Sequence, residues 1–161
     1  MENLVFDIRR KLKICKLGKR LAQSCVLAYG RFKCLAGLPK PMLMAAKTTA
    51  VLCSDVVEFY GNGMQFDLKR AQITDVGIKA QHQMPGEFLK SWAIYNTVVS
   101  NTKGMIHGEY LKNRKGKRID KCLVFTFKQG QSVDYIIFDI NTDSSLLAAQ
   151  KFQSEFQKSI A

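Results

Sequence analysis

The dipeptide Asn62-Gly63 sits at the centre of "VVEFYGNGMQFDL", residues 56–68, where apolar and polar residues alternate on both sides. A two-residue type I′ turn needs positive φ at both central positions, which Asn and Gly tolerate better than other residues. Placing the pair in the loop sets Phe59 opposite Phe66 and Val57 opposite Leu68, so that one face of the hairpin is wholly apolar. A slip of one residue sets Phe59 against a polar neighbour. The same register opposes two like charges, Glu58 and Asp67, and predicts that their face lies in water.

A second hairpin is expected in "CLVFTFKQGQSVDYIIFDI", residues 122–140. A three-residue loop Lys128-Gln129-Gly130, with Gly130 in the left-handed position, would set Phe125 opposite Val133 and Leu123 opposite Tyr135. Upstream, "GMIHGEYL" (104–111) reads as the strand paired before it, joined by the turn "KNRKGKR". Between the hairpins, residues 86–99 carry Phe88, Trp92, Tyr95 and Val99 at helical spacing, although the β-branched content of 94–99 also suits a strand; an inserted helix is the expectation. The chain closes on "TDSSLLAAQKFQSEFQKSIA", where Asp143 or Ser144 can cap a helix with the stripe Leu146, Ala149, Phe152, Phe156 and Ile160.

Residues 4–36 read as helix. Ile14, Leu17, Leu21, Cys25, Ala28, Phe32 and Leu35 recur at steps of three and four, with Arg9, Lys13, Lys16, Arg20, Leu27 and Arg31 opposite them. Gly18 is a point at which such a helix kinks or splits. "GLPKP" at 37–41 ends it, because proline cannot continue the hydrogen-bond ladder. The sequence therefore divides into a basic amphipathic extension, 1–41, and a domain, 42–161, expected to fold alone.

At 161 residues the chain suits one core, and folding would remove roughly 70% of its surface from water. Its net charge of +12 is uneven: residues 1–40 hold ten Lys and Arg against Glu2 and Asp7, two thirds of the excess. Such asymmetry points to an anionic partner, whether nucleic acid, membrane or acidic protein. The five cysteines, Cys15, Cys25, Cys34, Cys53 and Cys122, are odd in number and lack metal or redox spacing, so they are expected to be reduced and buried in a cytoplasmic protein. "LAQSCVLAY" (21–29) is too short to span a bilayer and too deep in the chain for a secretory signal.

Catalytic signals are sparse. His82 and His107 lie in different segments with no ligand-spaced Cys or carboxylate nearby, and "GNGMQF" lacks the third glycine and following helix of a phosphate cradle. No G-x-S-x-G turn or P-loop is present. An enzyme reading would need a cleft around His107, Glu109 and Tyr110. The expectation is a protein that is not an enzyme and uses no cofactor or metal.

Four strands (47–53, 55–60, 64–68, 72–80), three more (105–111, 119–128, 132–140) and one amphipathic helix is an order that resembles the pleckstrin-homology-like (PH-like) barrel. "AVLCSDVVEFYGNGMQFDLKRAQITDV" is similar to the opening of bacterial PH-like and GRAM-like domains, and "LVFTFKQGQSVDYIIFD" with "SLLAAQKFQSEFQKSI" to their closing hairpin and capping helix. The resemblance covers about residues 45–161. It implies an α+β barrel of about seven antiparallel strands, capped at one end by the terminal helix, in which loops carry a binding or targeting role. Lipid-binding members use a long basic loop between the first two strands. With the first strand at 47–53 that connection is only Ser54-Asp55, which argues against headgroup recognition there.

Two basic stretches are the candidate anion- or partner-binding sites. One is Arg9, Lys13, Lys16 and Arg20 on the N-terminal segment. The other is Lys112, Arg114, Lys115, Lys117, Arg118 and Lys121 in "LKNRKGKRIDK", expected at a hairpin tip. The anticipated function is docking on a protein partner or an anionic membrane face. The alternative is nucleic-acid binding, or modulation of a nucleic-acid enzyme, by the same cations; the absence of an aromatic within 111–121 other than its flanks argues against sequence-specific single-strand recognition.

Overall fold

The computed structural model describes residues 26–80, 106–107, 110–111 and 120–159. Their elements run β1 (Val26–Ala36), α1 (Lys40–Leu43), β2 (Thr48–Cys53), β3 (Val56–Gly61), β4 (Met64–Lys69), a 3-10 turn (Arg70–Gln72) and β5 (Ile73–Ala80). They continue through β6 (Ile106–His107), β7 (Tyr110–Leu111), β8 (Lys121–Gln129), β9 (Ser132–Asp139) and α2 (Asp143–Lys158). Seven strands form one antiparallel sheet in the order β4-β3-β2-β1-β9-β8-β5, and among the described residues β6 and β7 pair with each other.

The sheet is strongly curled. β4 and β5 stand at opposite ends of the strand order, yet only Arg70–Gln72 separates them in the chain. Phe59 on β3 and Phe125 on β8 are four strand spacings apart, roughly 19 Å in a flat sheet at about 4.8 Å per strand, whereas their ring centroids lie 5.2 Å apart. Phe138 on β9 meets both, at 5.9 and 5.8 Å. α2 completes this core: Phe152 packs edge-on to Phe125 at 5.4 Å, and Ala149, Phe152 and Phe156 are buried. An α+β architecture of one curled antiparallel sheet with a C-terminal helix is thereby established.

The β3–β4 hairpin has the expected register, with Phe59 opposite Phe66, Val57 opposite Leu68 and Glu58 opposite Asp67. Asn62 and Gly63 take φ of 53° and 76°, as a type I′ turn requires. The β8–β9 hairpin differs from expectation. Gln129 pairs with Ser132, leaving the two-residue loop Gly130-Gln131, and Phe125 faces Ile136 while Leu123 faces Phe138. Gly130 is left-handed as expected, at φ +62, but it comes first in the loop, the position glycine takes in a type II′ turn. This register puts Ile136 and Phe138, both fully buried, into the core and leaves Val133 exposed.

The larger correction concerns the N-terminal side. Residues 26–36 are not helix but the central strand of the sheet, pairing with β2 through Val26–Phe32 and with β9 through Lys33–Ala36. Its burial alternates with period two, and Ala28, Phe32 and Cys34 enter the core. The boundary near residue 41 therefore falls inside the folded unit. β6 and β7, within the strand expected at 105–111, are likewise not neighbours of β8, both of whose edges are occupied by β5 and β9. The main sheet has seven strands, with β1 in place of the strand expected at 105–111. The basic stretch of "LKNRKGKRIDK" expected at a hairpin tip, residues 112–119, lies outside the described residues. The connection between the first two strands is 37–47, not Ser54-Asp55. It is packed rather than open: Leu38, Met42 and Leu43 are buried, and Lys33 Nζ donates to the carbonyls of Leu43 and Ala45 at 3.2 and 2.6 Å. The inserted helix expected at 86–99 and the rest of the extension, 1–25, lie outside the described residues.

Of the expected stripe on the terminal helix, Ala149, Phe152 and Phe156 are buried, Leu146 is partly buried and Ile160 lies outside the described residues; the cap is one residue earlier than expected. Thr142 Oγ1 accepts from the Ser145 amide at 3.2 Å, and Ser145 Oγ accepts from the Thr142 amide at 3.2 Å. Two otherwise orphaned donors are satisfied by this reciprocal exchange. At the other end Arg70 ties the β4–β5 corner to α2: its guanidinium lies 4.5 Å from the centre of the Phe156 ring and donates to Ser159 Oγ and to the Cys53 carbonyl. Burial holds the Arg70 pKa below its ordinary value.

Candidate functional site

A groove forms where β1 changes partners. β9 reaches along β1 only as far as Lys33, and beyond that point α2 lies against the strand. Gly30 and Ala148 permit the approach. A Cβ on Gly30 would sit 2.3 Å from the Phe32 ring and 3.2 Å from Ala148 Cβ, well inside van der Waals contact. The groove has a volume of about 430 Å³ and is lined by Tyr29, Gly30 and Arg31 from the strand and by Ser144, Leu147 and Lys151, among others, from the helix. Arg31, Lys151, Ser144 and Leu147 are exposed along it.

Among the described residues the lining holds two cations, serine hydroxyls and an exposed leucine, and no carboxylate, histidine or cysteine. The N-terminal half of a helix also presents the positive end of its dipole. The arrangement suits an anionic, partly apolar chain laid along β1, with charge attraction at Arg31 and Lys151 and contact at Leu147.

The candidate residues taken from the sequence fall mostly elsewhere. Lys121 is exposed at the start of β8, opposite Ala80. Arg9, Lys13, Lys16, Arg20, Lys112, Arg114, Lys115, Lys117 and Arg118 lie outside the described residues. Arg31 was hidden in the expected helix, as one more cation on its polar side. Lys151 sits on the solvent side of α2, and no local pattern separates it from any other surface lysine.

Glu58 departs from expectation. It stands opposite Asp67 as anticipated, but it is fully buried, with Tyr60 donating its hydroxyl proton to Oε2. The face expected in water is covered at β3 and exposed only at β4. Among the described residues no group of three His, Cys, Asp or Glu is placed to hold a metal ion. Cys34, Cys53 and Cys122 are buried thiols outside any disulfide. Desolvation pushes the Cys34 thiol up to about 12, against smaller opposing effects of backbone hydrogen bonds from 36 and 38, and raises Cys122 in the same way. Neither is an activated nucleophile. Cys15 and Cys25 lie outside the described residues.

No helix among the described residues is long and apolar enough to cross a membrane. No protein-family model matches the chain, and no curated protein matches it in sequence.

Proposed function

We propose that the chain is a non-catalytic PH-like binding module whose ligand is an extended acidic segment of a partner protein, held between β1 and α2. Two meanders of four and three strands followed by one helix support the PH-like reading. The observation that carries the function is the groove itself, between β1 and the flank of α2, with Arg31 and Lys151 as its charged lining and no acidic side chain in that lining among the described residues. An extended peptide there would gain charge pairs at Arg31 and Lys151 and apolar contact at Leu147. Buried, reduced cysteines fit a cytoplasmic setting.

Selection of a displayed random-peptide library on the full chain tests this reading. It predicts enrichment of acidic sequences with an apolar residue, whose binding weakens with added salt and is lost in Arg31→Glu. Binders without acidic residues, or binders indifferent to Arg31→Glu, would contradict it. Two parallel arms separate the other anionic partners: sedimentation with phosphatidylserine vesicles against phosphatidylcholine vesicles, and a mobility shift with duplex DNA and with RNA. The charge of +12 and the six cations of 111–121 favour nucleic acid as the second reading. That reading predicts a salt-dependent shift abolished by neutralising Arg114, Lys115, Lys117 and Arg118 and untouched by Arg31→Glu.

A further inference from the structure

The sheet has two buried faces, and only one of them is the core. Ala50, Leu52, Val57 and Phe59 point inward to the phenylalanine cluster. The residues alternating with them on β2 and β3 point the opposite way, yet Val51 and Glu58 are 0% exposed, Cys53 is 1% and Tyr60 is 5%. α2 does not account for this, because Ala149, Phe152 and Phe156 belong to the inner cluster. A second layer therefore lies over the outer face of β2 and β3. It must cover apolar side chains and also accommodate a carboxylate, since Glu58 is in the middle of the patch. Taking a carboxylate fully out of water is costly unless it is paired and hydrogen-bonded, and the Tyr60 hydroxyl supplies one such bond.

We infer that this outer face is the docking surface of the chain's own basic N-terminal segment, residues 4–25, and that one of its cations pairs with Glu58. The segment has the required composition: Ile14, Leu17, Leu21 and Cys25 at helical spacing, accompanied by seven cations, Arg9, Arg10, Lys11, Lys13, Lys16, Lys19 and Arg20. It also ends in the right place. Val26 follows it directly and pairs with Cys53, a member of the covered patch. Residues 81–120, the other long stretch available, leave and re-enter the sheet at Ala80 and Lys121, which pair with each other on the β5–β8 side. Part of the basic segment is on this account a structural layer, and the cations on its far side are the ones open to a partner.

Cys53 on the covered face and Cys34 in the core make the test internal to one molecule. In the full chain carrying Ile14→Asp, Leu17→Asp and Leu21→Asp, Cys53 should react with a maleimide at least about tenfold faster than in the unsubstituted chain, while Cys34 stays protected. Continued protection of Cys53, or its exposure by Phe88→Asp and Trp92→Asp instead, overturns the inference. Equal exposure of both thiols would mean that the variant unfolds, and a second measurement on the unsubstituted chain then decides. Asp67 is exposed beside Glu58 on this face, so zero-length carbodiimide coupling should join it to Lys11, Lys13, Lys16 or Lys19. Coupling of Asp67 only to lysines of 103–121, or a coupling that depends on protein concentration and so reports a second copy, overturns the inference.

Discussion

The ring of Phe59 meets Phe125 at 85°, with 5.2 Å between centroids, across the interior of a sheet whose strand order places them four strands apart. That contact holds the two halves of the sheet together. Phe59→Ala removes a fully buried ring that also touches Phe138, and should lower the unfolding free energy by about 3–5 kcal/mol in urea titration. Phe66 is only partly buried and touches Phe59 at 6.3 Å from the rim, so Phe66→Ala should cost clearly less. Equal losses would mean that the two halves are not packed through Phe59.

β1 lies between β2 and β9. A chain beginning at residue 42 lacks it, together with Ala28, Phe32 and Cys34 of the core. That fragment should show no cooperative thermal transition by circular dichroism and should bind a hydrophobic dye. A sharp transition would restore the boundary at residue 41 that the prolines of "GLPKP" suggest.

Two glycines with positive φ should respond differently to alanine. At Gly37, φ +95, a Cβ would lie 2.0 Å from the Tyr135 carbonyl oxygen, so backbone must move. At Gly63, φ +76, nothing lies within 4 Å, and only the left-handed conformation is penalised, by about 1–2 kcal/mol. Thermal melts should therefore rank Gly37→Ala well below Gly63→Ala, and the reverse order would contradict the close approach of β1's end to β9.

The elements differ in how far their residues announced them. The β3–β4 hairpin was legible because Asn62-Gly63 fixes the turn and only one register collects Val57, Phe59, Phe66 and Leu68 on one face. The β8–β9 register was not, since Ile136, Ile137 and Phe138 are all buried and sidedness cannot choose between odd and even residues there. β1 was misread because Ala28, Phe32 and Leu35 also satisfy helical spacing. The competing period of two, through Val26, Ala28, Gly30, Phe32 and Cys34, is carried largely by small residues. The groove depends on Gly30 and Ala148, which are distant in sequence, and so only the folded chain brings Arg31 and Lys151 to one place. Glu58 was assigned to water because the hairpin alone cannot show that its outer face is buried at β3.

Stability should fall in alkali. The Cys34 thiol is held up to about 12 from an ordinary 9.0. The unfolded chain loses this proton first, so the contribution of the neutral thiol is fully present below pH 9 and declines as the pH rises toward 12. Urea midpoints measured from pH 8 to 11 should drop less steeply for Cys34→Ala than for the unsubstituted chain. Parallel slopes would place the alkaline loss on other groups, Cys122 among them.

The most direct measurement of the docking account is an amide-shift titration of the isotopically labelled full chain with the tightest acidic peptide selected on it. The account predicts shifts concentrated at Tyr29, Gly30, Arg31 and Ser144 to Lys151, and an affinity about ten- to hundredfold weaker in the Arg31→Glu, Lys151→Glu variant with its melting temperature unchanged. Shifts confined to residues outside this groove, or an affinity untouched by the two charge reversals, would contradict it.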